Sequence, residues 1–102
     1  MYILAMHVVA IVALEGVVPF DLATPCEVFG RVRLADGRTP YEVRICAETK
    51  EVGAGGFRLR APWGLGAVAR ANTVFLPGIS DLSMPIPAAV VRAVRVAAKT
   101  GA

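Results

Sequence analysis

Asp21 is the residue whose type and place could do chemistry. It comes shortly after the apolar run Val8–Leu14 and the glycine Gly16, at the start of a helical pattern. A carboxyl group there could donate or accept a proton beside a thiol or a polar substrate, provided burial or a partner raised its pKa. The same place suits a helix N-cap, which needs only a hydrogen bond to a backbone N–H, and spacing alone favours the cap. A second candidate is Pro77-Gly78-Ile79-Ser80. A glycine straight after a buried strand lets backbone N–H groups turn toward a crevice and bind a developing oxyanion. An ordinary strand-to-loop turn has the same composition.

The remaining reactive side chains form no set. His7 is the sole histidine and has no acid or thiol near it in sequence, so no Ser/His/Asp triad can be assembled. Cys26 falls on a helical stripe and Cys46 in a strand, and both read as structural thiols without the exposed elbow of a nucleophile. Ser80 and Ser83 lie near the glycine turn without a visible base. No C-x-x-C and no Cys/His cluster is present, so the sequence implies no metal, and it implies no cofactor. Gly53-Ala54-Gly55-Gly56 leads into an alternating strand, not a helix, so it cradles no phosphate. Gly64-Leu65-Gly66-Ala67-Val68-Ala69 follows Ala61-Pro62-Trp63, which is no buried strand, and the dinucleotide reading fails there too.

These residues need elements to hold them. Val8–Leu14 is a continuous, largely β-branched run, which predicts a central parallel strand covered on both faces. Gly16 permits the turn after it. Asp21 then opens a helix with Pro25 in its first turn and Leu22, Cys26 and Phe29 as its apolar stripe. Gly30 weakens that helix, and Ala35-Asp36-Gly37 is its expected stop. Tyr41–Ala47 alternates like a strand nearer an edge. Glu51-Val52 and Phe57–Arg60 flank the glycines as a hairpin, and Trp63–Ala71 is a loop or short helix. Thr73–Leu76 is a short buried strand ended by Pro77-Gly78. Pro87 starts a last helix, with Val90, Val91, Val94, Ala97 and Ala98 on one side and Arg92, Arg95 and Lys99 on another. The order β, α, β, hairpin, β, α predicts a doubly wound parallel sheet.

Bulk properties agree with one such domain. The chain has 102 residues, 56% apolar and 19% charged, which excludes disorder. The +3 net charge comes from basic residues scattered singly, which draws no nucleic-acid footprint in the sequence. The apolar stretch Met1–Leu14 lacks a basic leader and a cleavage site, and is shorter than the ~20 residues of a membrane span. A cytoplasmic protein with no membrane partner is expected.

HVVAIVALEGVVPFDLATPCEVFG, His7–Gly30, resembles the opening of the PfpI/ThiJ superfamily, also called class I glutamine amidotransferase-like. The likeness is closer to the N-terminal domain of GlxA-type regulators in the AraC class. TVFLPGIS resembles that family's later strand and oxyanion turn, and AAVVRAVRVAAKTGA the helix before its nucleophile elbow. The resemblance implies a flavodoxin-like sheet with a β-hairpin insertion, incomplete, with residues 1–102 as the N-terminal part of a PfpI-like domain. It implies that Asp21 is the acidic partner of a reactive cysteine, and that Gly78 and Ile79 are backbone oxyanion donors. Neither Cys26 nor Cys46 matches the family's nucleophile, which would lie beyond Ala102, as would a regulator's helix-turn-helix domain. Glu15 replaces the family's proline before the turn glycine.

Two functions follow from that resemblance. One is the ligand-sensing domain of an AraC-type regulator, taking a small molecule and meeting DNA only through a domain outside this chain. The other is part of a PfpI-type cysteine hydrolase or isonitrile hydratase-like enzyme. A chain ending after a helix leaves a sheet edge unpaired, so a homo-oligomer or self-association is expected.

Overall fold

The computed structural model describes residues 6–102; residues 1–5, the start of the apolar N-terminal stretch, lie outside the described residues. The fold is mixed α/β. β1 (His7–Val12) runs at the centre of a parallel three-stranded sheet, between β2 (Tyr41–Cys46) and β5 (Thr73–Phe75). The register sets Ala10 beside Arg44 on one strand and Val74 on the other, and Val12 beside Cys46. The central place of β1 follows from its composition. Val9, Ala10, Ile11 and Val12 are wholly buried, and only a strand apolar on both faces tolerates that.

Helices cover both faces. Ala10, Val12 and Cys46 pack against α2 (Leu65–Ala69) and α3 (Ala88–Lys99), through Ala67, Val68, Val90 and Ala93. On the other face lies α1 (Pro19–Gly30), whose Phe29 ring meets Tyr41 at 4.9 Å and Phe75 at 5.5 Å between centroids. The hairpin of β3 (Glu51–Gly53) and β4 (Arg58–Arg60) covers a second cluster, with Val52 and Ala54 against Ala13, Val17 and Ala47.

Four local expectations are corrected. Asp21 is not the N-cap of α1. Val18 holds that position without any side-chain cap bond, and Asp21 is the third helical residue. Pro19 has its φ already suited to the first helical position, so the helix starts two residues before the acid. Pro25 therefore falls in the helix interior, where it lacks the N–H that would bond the Asp21 carbonyl four residues back. α1 also ends at Gly30, not near Gly37; Arg31 closes it by donating to the Glu27 carbonyl at 3.2 Å. In α3 the buried face is Val90, Ala93 and Ala97, whereas Ala98 is exposed. The close approach of α2 favours the small Ala93 there.

No helix among the described residues is long and apolar enough to cross a membrane. Ile11→Ala should cost about 2–5 kcal/mol of unfolding free energy in urea titrations, from lost burial plus the cavity left behind. Leu82, 87% exposed, should tolerate alanine within about 0.5 kcal/mol. Equal losses at the two sites would contradict this packing.

Candidate functional site

The sheet order places a topological switch at β1. The chain leaves β1 through α1 toward β2 on one side, while β5 pairs on the other. The carboxyl ends of β1 and β5 are therefore where an open α/β sheet forms its ligand crevice. Two backbone bonds close the crevice floor: Val18 N–H to the Gly78 carbonyl at 2.8 Å, and Ser80 N–H to the Gly16 carbonyl at 2.9 Å. Together they form an antiparallel bridge between Val17 and Ile79.

That bridge brings Asp21 and Gly78 together. A Cβ built on Gly78 would lie 2.8 Å from the Asp21 Oδ2, so only a glycine leaves the carboxylate its place. A groove of about 350 Å³ opens beside them, lined by Phe20, Asp21, Thr24, Phe75, Pro77 and Gly78. Asp21 is solvent-exposed and accepts no hydrogen bond from the described residues. The N–H groups of Gly78 and Ile79 likewise donate to none of the described residues. Of these two donors only Gly78 lines the groove with the Asp21 carboxylate; Ile79 lines a separate pocket with Leu14, Glu15 and Met84.

The other reactive groups stay apart from it. His7 starts β1, at the opposite end of the strand, and its Nε2 pairs with the Thr73 hydroxyl at 2.7 Å. The Ser83 hydroxyl donates to Asp81 at 2.6 Å and its N–H at 3.0 Å, which holds the Asp81 carboxyl below its usual range. Neither thiol lines the groove. Cys26 is half-buried, and desolvation, with the neighbouring Glu27 charge, raises its pKa. Cys46 is buried in the core, and desolvation pushes its thiol up to about 11, against a weaker opposing pull from Arg44. Both are poor nucleophiles near neutral pH. Among the described residues no group of three or more His, Cys, Asp or Glu could hold a metal ion.

Glu15 is the residue that sequence reasoning missed. Its carboxylate accepts the Gly53 N–H at 3.1 Å with both oxygens, and Arg58 approaches at 3.9 Å. The Gly16 N–H also donates to the Gly53 carbonyl, at 2.8 Å. The hairpin is thereby clamped to the same turn that carries the crevice floor. The available signal was an acid directly before a turn glycine, but its partner lies 38 residues away.

No family model matches the chain, and no curated protein matches it. What the fold and the site define is a class: an α/β protein with a largely apolar groove, carrying one carboxylate, at the switch point of its sheet.

Two outcomes check these placements. Glu15→Ala leaves the Gly53 N–H without its side-chain acceptor, so hydrogen exchange at that amide should quicken while amides of β1 stay protected. Cys46 ties stability to alkaline pH. Below pH 9 neither folded nor unfolded thiol is ionised; between about 9 and 11 only the unfolded chain releases the proton. Thermal midpoints should fall as pH rises through that window, and Cys46→Ala should remove this component of the fall.

Proposed function

We propose that this chain is a ligand-sensing domain of the PfpI/ThiJ kind, with a flavodoxin-like doubly wound sheet, from a cytoplasmic AraC-type regulator. The observation that carries the reading is the Asp21 carboxylate set against Gly78 at the switch point, where the Gly78 N–H has no partner among the described residues. That pairing matches the resemblance of DLATPCEVF and TVFLPGIS to the family's acid and oxyanion turn. The groove suits a small neutral ligand carrying one hydrogen-bond donor and one acceptor. Its donor meets Asp21, and its carbonyl-like acceptor meets the Gly78 N–H.

The second reading, a PfpI-type hydrolase or isonitrile hydratase-like enzyme, needs a nucleophile facing Asp21. The two thiols favour sensing over this one, because neither lines the groove and burial raises the pKa of both. Base-specific DNA contact would belong to a separate regulatory domain. Phe20, Leu76 and Leu82 are more than half exposed, and β5 has no partner on its outer edge among the described residues. Both features favour self-association.

Amide NMR shifts of the labelled protein, read during titration with N-methylacetamide and separately with cyclohexyl isocyanide, test this reading. Sensing predicts shifts centred on Asp21 and Gly78, weakened by Asp21→Asn, with no product formed. Turnover of the isocyanide that disappears in Asp21→Asn would favour the enzyme. Shifts confined to other parts of the chain would sink both readings.

A further inference from the structure

One helix lines up three of the chain's cations, and the fold leaves them without acidic partners among the described residues. The acids are largely spent on local partners: Glu27 on Arg31, Asp36 on Arg38, Glu42 on Arg44, and both Glu15 and Glu51 on Arg58. Beyond Glu51 the sole acid is Asp81, and Ser83 holds it. The cations of α3 have no such partners. Arg92, Arg95 and Lys99 are exposed, and none forms an ion pair among the described residues. Their spacing of three and then four residues puts them on one helical face. That face opposes the buried Val90, Ala93 and Ala97, and α3 contains no acid. Arg70 adds a fourth cation at the end of α2, which packs beside α3. Glu15 and Glu48, the acids sharing a groove with α3, face its first turn at Pro87 and Val90, not this stripe.

We propose that the outer face of α3 docks the sugar–phosphate backbone of a nucleic acid duplex, without reading its bases. The cations repeat along about 10 Å of helix, from a rise of 1.5 Å per residue. A phosphate backbone offers a regular row of anions to match them. Two of the three are arginines, whose planar guanidinium forks fit phosphate oxygens two at a time. The face carries no aromatic side chain to stack on a base and no Asn or Gln to read a base edge. An anionic membrane fits less well, because Val90, Ala93 and Ala97 are buried in the core and Val96 is the one large apolar side chain that α3 leaves exposed, too little to enter lipid. A second copy of this chain fits less well too, since most of its acids are already paired.

Fluorescence anisotropy of a labelled 20-base-pair duplex of arbitrary sequence tests this, with the whole chain at several salt concentrations. Three phosphate contacts give a log–log salt slope of about −2.7, so binding should weaken about 40-fold between 50 and 200 mM salt. Arg92→Ala/Arg95→Ala should flatten the slope to about −0.9, leaving about a 3.5-fold change, while Arg92→Lys should keep it. Circular dichroism of the variants, matched to the parent, separates lost contacts from lost fold. Vesicles of phosphatidylcholine and phosphatidylserine, and poly-glutamate, serve as rival polyanions. Absent duplex binding at 50 mM salt, a slope unmoved by the double variant, or tighter binding to either rival would overturn the proposal. The N-methylacetamide titration reports on the crevice alone, so either result can fail without the other.

Discussion

The crevice depends on two main-chain hydrogen bonds, Val18 to Gly78 and Ser80 to Gly16, at 2.8 and 2.9 Å. They lie beyond the parallel ladder and join the loop after β1 to the loop after β5. Gly16 sits at φ +80°, and from there its N–H reaches the hairpin while its carbonyl reaches Ser80. Its missing side chain also matters, because a Cβ there would come within 3.3 Å of the Ser80 Oγ. With Val18 fixed by Gly78, Pro19 can only begin the helix, and Asp21 is carried to the third position of α1. The acid faces Gly78 because the backbone before it has been immobilised.

Elements whose stability comes from their own periodicity were legible. The buried β-branched run became β1, the alternating Tyr41 segment became an edge strand, and the glycine-separated pairs became the hairpin. The boundaries of α1 were not legible, because they are decided elsewhere. Its start depends on the Val18–Gly78 bond, and Gly30 ends the helix before Gly37 can. The choice of Ala93 over Ala98 for the core was recorded within α3, since Val90, Ala93 and Ala97 lie opposite Arg92, Arg95 and Lys99, and the grouping of Ala98 with the core face overlooked it. Of the site, Asp21 and Gly78 could be picked out separately, but their contact is a product of topology. The Glu15 clamp was invisible because it joins a turn to a hairpin 38 residues away.

Charge shows the same division between local and distant information. Glu27 with Arg31, Asp36 with Arg38, and Glu42 with Arg44 are each within four residues, and a linear reading sees only a mixed, nearly balanced chain. Exposed pairs of this kind contribute about 0–1 kcal/mol each. Their larger effect is on the field, since they remove acids from the reckoning and leave the cations of α3 uncompensated. Arg44 is a different case: its guanidinium lies 4.1 Å from the Trp63 ring centroid while it pairs with Glu42. Stacking there extends the order of β2 into the segment that leads to α2, where Trp63 donates to the Ile45 carbonyl at 3.2 Å.

Whether the crevice senses or cuts turns on water. Asp21 stands in solvent, where an exposed carboxylate gains about 1 kcal/mol or less from a charged partner. Acid–base work would need the groove covered and the carboxyl partly dried. Binding makes a smaller demand, since backbone N–H groups and a carboxylate can select a ligand by geometry while one side stays wet. The groove floor runs from Phe75 to Gly78, at the end of a strand whose outer edge is open among the described residues. A strand that paired with β5 would border the groove and exclude water from Asp21 in the same step. Pairing of that edge and drying of the acid are therefore coupled, and without such cover the arrangement favours recognition over catalysis.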